Sequence, residues 1–96
     1  MNIFQSSTAD PEFLIRFTEV SSYIPGRIRL RSKKLVGNPK LSQQIYKELA
    51  TFKEIQSVEI SILTGSLLIL YEPEILRTNG KLAKMEEYIR VKAGRK

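Results

Sequence analysis

The sequence predicts an α+β two-layer sandwich, an antiparallel four-stranded sheet with two helices on one face. Three observations point there. Apolar and polar residues alternate with period two in "FLIRFTEV", "RIRLRS", "SVEISI" and "SLLILYEP", the mark of half-buried strands. Two longer stretches, following Asn38 and Asn79, carry apolar residues at helical spacing. The resulting order is β, β, α, β, β, α, and a helix joining "RIRLRS" to the last two strands places them in one sheet by a right-handed crossover.

Each element has its own reason. Residues 1–12 hold Ser6, Ser7, Thr8, Asp10 and Pro11 with little apolar content after Phe4, so a flexible leader is expected. Over 13–20, Phe13, Ile15 and Phe17 share one side of an expected strand, with Leu14, Arg16 and Thr18 on the other. Pro25 and Gly26 bend or turn the chain into "RIRLRS", which sets Ile28 and Leu30 inward and three arginines outward. Asn38 is a favourable N-cap, and Pro39 fits the first helical position, where no amide donor is needed. Leu41, Ile45, Leu49 and Phe52 then form one apolar stripe. Val58, Ile60 and Ile62 alternate before Thr64-Gly65, a tight turn into the next strand, which Pro73 ends. In the last helix, expected after Asn79, Leu82, Met85 and Ile89 make a narrow apolar face, with Glu86 and Arg90 spaced to pair.

At 96 residues the chain is one domain, expected over 13–93 with a basic tail at 94–96. No apolar run approaches the ~20 residues that cross a bilayer. The start lacks a basic segment followed by an apolar block, so the expected location is cytoplasmic. There is no cysteine and no histidine, which removes disulfides, thiolate and imidazole metal sites, and Cys–His or Ser–His–Asp catalysis. The ten acidic residues are scattered, which leaves no carboxylate cage for a hard cation. No cofactor, metal site or catalytic residue is expected.

The net charge of +6 favours anionic partners. Its distribution says more: Arg27, Arg29, Arg31, Lys33 and Lys34 fall within eight positions that contain no acid. Alternation alone would put the three arginines on the wet side of a half-buried strand. The same row can also form a binding surface, because "SLLILY" is expected beside it and leaves Leu68 and Leu70 on the open face. Such a mixed apolar and cationic patch suits a protein partner, including a second copy of the chain. Single-stranded RNA readers of this architecture expose stacking aromatics, and only Tyr23 and one side of the first strand are placed to supply any. Phosphate contact by the basic cluster would give salt-sensitive affinity without sequence preference. Pro25-Gly26-Arg27 has two readings, a backbone bend or an amide-and-arginine anion nest.

The stretch "YIPGRIRLRSKKLVGNPKLSQQIYKELATFKEIQSVEISILTGSLLILYEP" resembles the heavy-metal-associated domain family, in its divergent branch without the CxxC metal motif. Its signposts are Pro25-Gly26-Arg27, Gly37-Asn38-Pro39, Ile55 with Val58, Leu63-Thr64-Gly65-Ser66 and Tyr71-Glu72-Pro73. The resemblance implies a ferredoxin-like fold with sheet order 4-1-3-2. The family's last strand is not evident, and two layouts are open. In one, "FLIRFTEV" takes its place beside "RIRLRS", a circular permutation of the usual order; in the other, the first strand is long and kinked at Pro25 and "YIRVKA" forms a short fourth strand. Metal-carrying relatives hold Cu(I) or Zn by CxxC between the first strand and first helix, where this chain reads "SKKLVGN". The divergent branch often has a histidine three residues before the proline, where Ser22 stands. What the resemblance implies is therefore a non-catalytic docking or regulatory module. Charge and alternation, not the resemblance, put its expected contact with a protein partner or a second copy at Arg27, Arg29, Arg31, Lys33, Lys34, Leu68 and Leu70. The alternative is anion or nucleic-acid binding through Arg27, Arg29 and Arg31.

Overall fold

In the computed structural model the described residues are 13–94. The leader expected over 1–12 and the last two residues of the expected tail lie outside them. Strand β2 (Arg27–Arg31) follows its alternation, with Ile28 and Leu30 fully buried and all three arginines exposed. Strand β4 (Ser66–Tyr71) buries Leu67, Ile69 and Tyr71 on the same side. The two pair antiparallel, with Ile28 opposite Ile69 and Leu30 opposite Leu67. Strand β3 (Ile55–Ser61) flanks β4 and strand β1 (Glu19–Ile24) flanks β2, giving the antiparallel order β1-β2-β4-β3.

Two turns set the register. Pro25-Gly26 closes the β1–β2 hairpin, and Gly26 takes φ 94°, as the second central position of a type II turn requires. Gly65 takes φ 69° in the β3–β4 turn, and a Cβ there would sit 2.4 Å from the Ser32 carbonyl oxygen. Space as well as dihedral demands glycine at that position.

Helix α2 (Pro39–Ala50) starts as its sequence dictates, the Asn38 side chain accepting from the Leu41 amide at 3.1 Å. A cap of this kind stabilises a helix by about 1 kcal/mol. Its stripe packs Ile45 and Leu49, both fully buried, against the sheet, and Phe52 completes the stripe just past the helix end. Full burial of one such aliphatic side chain is worth roughly 2 kcal/mol. Helix α4 (Gly80–Ala93) is capped by Asn79, which accepts from the Lys81 and Leu82 amides, and buries Leu82, Met85 and Ile89. Both helices share one core with the inward rows of β2 and β4. The fold is a ferredoxin-like α+β sandwich.

Three expectations are corrected. Residues Phe13–Phe17 form a short helix, α1, not the start of a strand. Leu14 is fully buried in the common core, and the Thr18 hydroxyl donates back to the Leu14 carbonyl. Leu14, Ile15 and Phe17 all pack against the core, which residues on opposite sides of an alternating strand could not do together. The strand begins only at Glu19, near the end of the expected one, and runs to Ile24 through residues read from sequence as part of a bend. It occupies the sheet edge beside β2. The second layout fails, because "YIRVKA" is the last part of α4, whose Ile89 is buried on the helix stripe. Another short helix, α3 (Pro73–Leu76), follows β4 and was not anticipated; Pro73 both ends the strand and opens the helix, whose Leu76 is buried.

Candidate functional site

The helices cover one face of the sheet and leave the other open. Cross-strand register places three rows there: Ile24, Arg27, Leu70 and Ser57; Ser22, Arg29, Leu68 and Glu59; Glu19, Arg31, Ser66 and Ser61. The arginines are exposed, while Leu68 and Leu70 are half-buried, flanked on one side by Arg29 and Arg27. Among the described residues the ion pairs are Arg77–Glu86 and Arg90–Glu87, so no carboxylate lies within salt-bridge distance of the arginine row. Glu59 stands two strands from Arg29, roughly 10 Å at ordinary strand spacing, and Glu19 is the cross-strand neighbour of Arg31 without closing an ion pair. The charge of the row is thus directed at solvent.

Lys33 and Lys34 lie elsewhere. After β2 the chain makes a single 3₁₀ turn, Lys33–Leu35, started by Ser32, whose hydroxyl accepts from the Lys34 amide. This turn carries both lysines around the end of the sheet, where with Arg31 they line a cleft of about 490 Å³. Phe17, Val36 and Thr64 also line it, and Glu19 adds an acid. Arg31 belongs to both surfaces. The five basic residues therefore form a row of three on the sheet and a second group at its end. Tyr23, expected to reach the open face, points into the helix layer instead, and no aromatic side chain lies in the three open-face rows.

That tyrosine is part of a cluster the sequence reasoning missed. Glu86 on α4 has a side chain only 5 % exposed. It accepts from the Tyr71 hydroxyl at 2.7 Å, the Tyr23 hydroxyl at 3.1 Å, and two Arg77 nitrogens at 2.7 and 3.1 Å. Arg90, the expected partner of Glu86, pairs with Glu87. A legible signal was present: Leu82, Met85, Glu86 and Ile89 follow i, i+3, i+4, i+7 spacing, which places Glu86 on the buried stripe. Burial favours the neutral acid, but hydrogen bonds from Arg77, Tyr71 and Tyr23 outweigh it and hold the carboxyl below its ordinary value. Burial, reinforced by the bond to Glu86, pushes the Tyr71 hydroxyl well up, so it stays a donor. Every acceptor of this carboxylate is engaged within the protein. The cluster fastens α4 to β1, β4 and the segment after α3.

The loop in which the resemblance places metal donors, Ser32–Asn38, offers two lysines, a buried serine and an asparagine that caps α2. With no cysteine or histidine anywhere in the chain, these residues do not fit a soft-metal site. Among the described residues no three acidic side chains converge to hold a metal. No helix among them is long and apolar enough to cross a membrane.

Comparison with curated proteins and with solved structures gives no significant match. The sequence model of the heavy metal associated domain 2 family matches residues 10–85, most of the chain. On that match, the chain belongs to the heavy metal associated domain 2 family.

Proposed function

We propose that this chain is a non-catalytic, cytoplasmic interaction module whose residues 13–93 act as one unit and dock a protein partner through the open sheet face. One observation carries the reading: Arg27 and Arg29 stand exposed against Leu70 and Leu68 with no carboxylate within salt-bridge distance, and Arg31 extends the row opposite Glu19. An acidic partner surface would neutralise the row and cover the leucines, a combination of electrostatic steering with apolar burial. Stacking two copies face to face would bring like-charged rows together, which favours a different protein over a second copy. Stacking of single-stranded bases is disfavoured by the lack of aromatics on this face. The role that follows is that of an adaptor or regulatory domain without metal cargo.

The test places a photo-crosslinking residue at position 70, with position 46, exposed on α2 in the helix layer, as control. The reading predicts a discrete adduct with an acidic protein from position 70 alone, lost in R27E/R29E. No adduct from position 70, equal adducts from both positions, or adducts to nucleic acid would each overturn it. An adduct with itself, accompanied by a doubled mass in light scattering, would make the partner a second copy.

A further inference from the structure

The end of the molecule formed by Ser32–Asn38 and Ile62–Gly65 has features that neither the core nor the open face requires. Two backbone hydrogen bonds tie the loops together, Ser32 N–H to Gly65 O and Gly37 N–H to Ile62 O, both 2.8 Å. Val36 packs over Gly65, with a methyl 2.8 Å from the place a Cβ would take. Beyond this tie Leu63 is 88 % exposed and Val36 52 % exposed. A single exposed leucine is ordinary. Here two aliphatic side chains stand out from mutually braced loops, beside the cleft lined by Arg31, Lys33 and Lys34. Glu19 is the sole acid among the residues lining that cleft, so its balance of charge is positive.

We infer that this end docks on the surface of a bilayer containing anionic phospholipid. Leu63 and Val36 enter the interfacial layer, and Arg31, Lys33 and Lys34 hold lipid phosphates around them. Apolar tips and a cationic surround are complementary to such a surface in both respects, and each cation near it adds to the attraction. The backbone tie means little loop ordering remains to oppose binding. A soluble phosphate would use the cations and leave Leu63 in water. A nucleic acid would find no aromatic side chain on either loop to stack a base. The inference goes beyond the docking reading above; the two share Arg31, but this one turns on Leu63, Val36, Lys33 and Lys34, which lie off the open face.

The chain contains no tryptophan, so L63W gives a reporter at the tip and I75W a control at the opposite end of the sheet. Each full-length variant is mixed at low salt with phosphatidylcholine vesicles, with vesicles that also contain phosphatidylglycerol, and with inorganic phosphate alone. L63W emission should shift to the blue with the anionic vesicles only, and the shift should weaken as salt rises. I75W should not respond. Adding K33Q/K34Q should weaken vesicle binding roughly 30-fold, the effect of two cations leaving an anionic surface. Cosedimentation of the unsubstituted chain with the same vesicles checks that the tryptophan does not itself create the affinity. No shift with anionic vesicles, an equal shift from I75W, a response to phosphate alone, unchanged binding in K33Q/K34Q, or failure of the unsubstituted chain to sediment would each overturn the inference.

Discussion

Replacing Glu86 probes how α4 is held to the sheet. Glu86→Ala removes the acceptor of four hydrogen bonds. The consequences differ by donor. The Tyr71 hydroxyl is buried and is left without a partner, which costs about 1–3 kcal/mol. Arg77 is half exposed, and its guanidinium turns to water, so its loss counts for little. Tyr23 is only partly buried and also rehydrates. Together with the lost packing of the glutamate stem, the expected destabilisation is about 2–3 kcal/mol, a fall in Tm of roughly 10–20 °C for a domain this small. Urea unfolding followed by circular dichroism measures it. Tyr71→Phe should cost about 1 kcal/mol, and a double-mutant cycle with Glu86→Gln should show a coupling of about 1 kcal/mol, as for residues in one network. The pH dependence has a definite sign. The folded carboxyl titrates below its ordinary value of 4.5, so its contribution is complete at neutral pH, and it is lost as pH falls below that value through the folded pKa. The stability difference between the parent and Glu86→Gln should therefore shrink on acidification. An alanine variant within 0.5 kcal/mol of the parent, or a parent-minus-glutamine difference that does not change between neutral pH and strong acid, would refute the account.

Two further outcomes follow from the turns and the donor set. Gly65→Ala should destabilise by about 2–4 kcal/mol, because a left-handed dihedral and a backbone contact of 2.4 Å act together. Gly26→Ala should cost less, about 1–2 kcal/mol, since its Cβ would meet the Tyr71 carbonyl oxygen at 3.1 Å; thermal unfolding of the two variants tests that ranking. Calorimetric titration with Cu(I) or Zn(II) should give no binding heat, and a stoichiometric site would contradict the reading of the Ser32–Asn38 loop.

The arginine row shows how far alternation carries. Ile28 and Leu30 sink and Arg27, Arg29 and Arg31 stay wet because a strand that borders a single core can bury only one side. Leu68 and Leu70 follow from the same rule applied to β4, once the two strands are known to be neighbours. The N-terminal strand was hidden for a definite reason. A bulge at Ser21 shifts the register between Val20 and Ser22, so the inward residues Val20 and Tyr23 stand three apart instead of two or four. Period-two reasoning then stops at Val20 and settles on "FLIRFTEV", because the four apolar residues of "FLIRF" suit either structure.

Neighbours a few residues apart were enough to read the caps at Asn38 and Asn79, the stripes on α2 and α4, the turns at Gly26 and Gly65, the two central strands and the absence of thiolate or imidazole donors. Only the tertiary structure decided which residues distant in the chain share a surface. It brought Tyr23, Tyr71 and Arg77 to Glu86, separated Lys33 and Lys34 from Arg27 and Arg29, and laid Val36 over Gly65. The physical reason is that dihedral preference and periodicity act locally, whereas a buried carboxylate or a shared cleft arises from packing between elements whose separation in sequence carries no record of it.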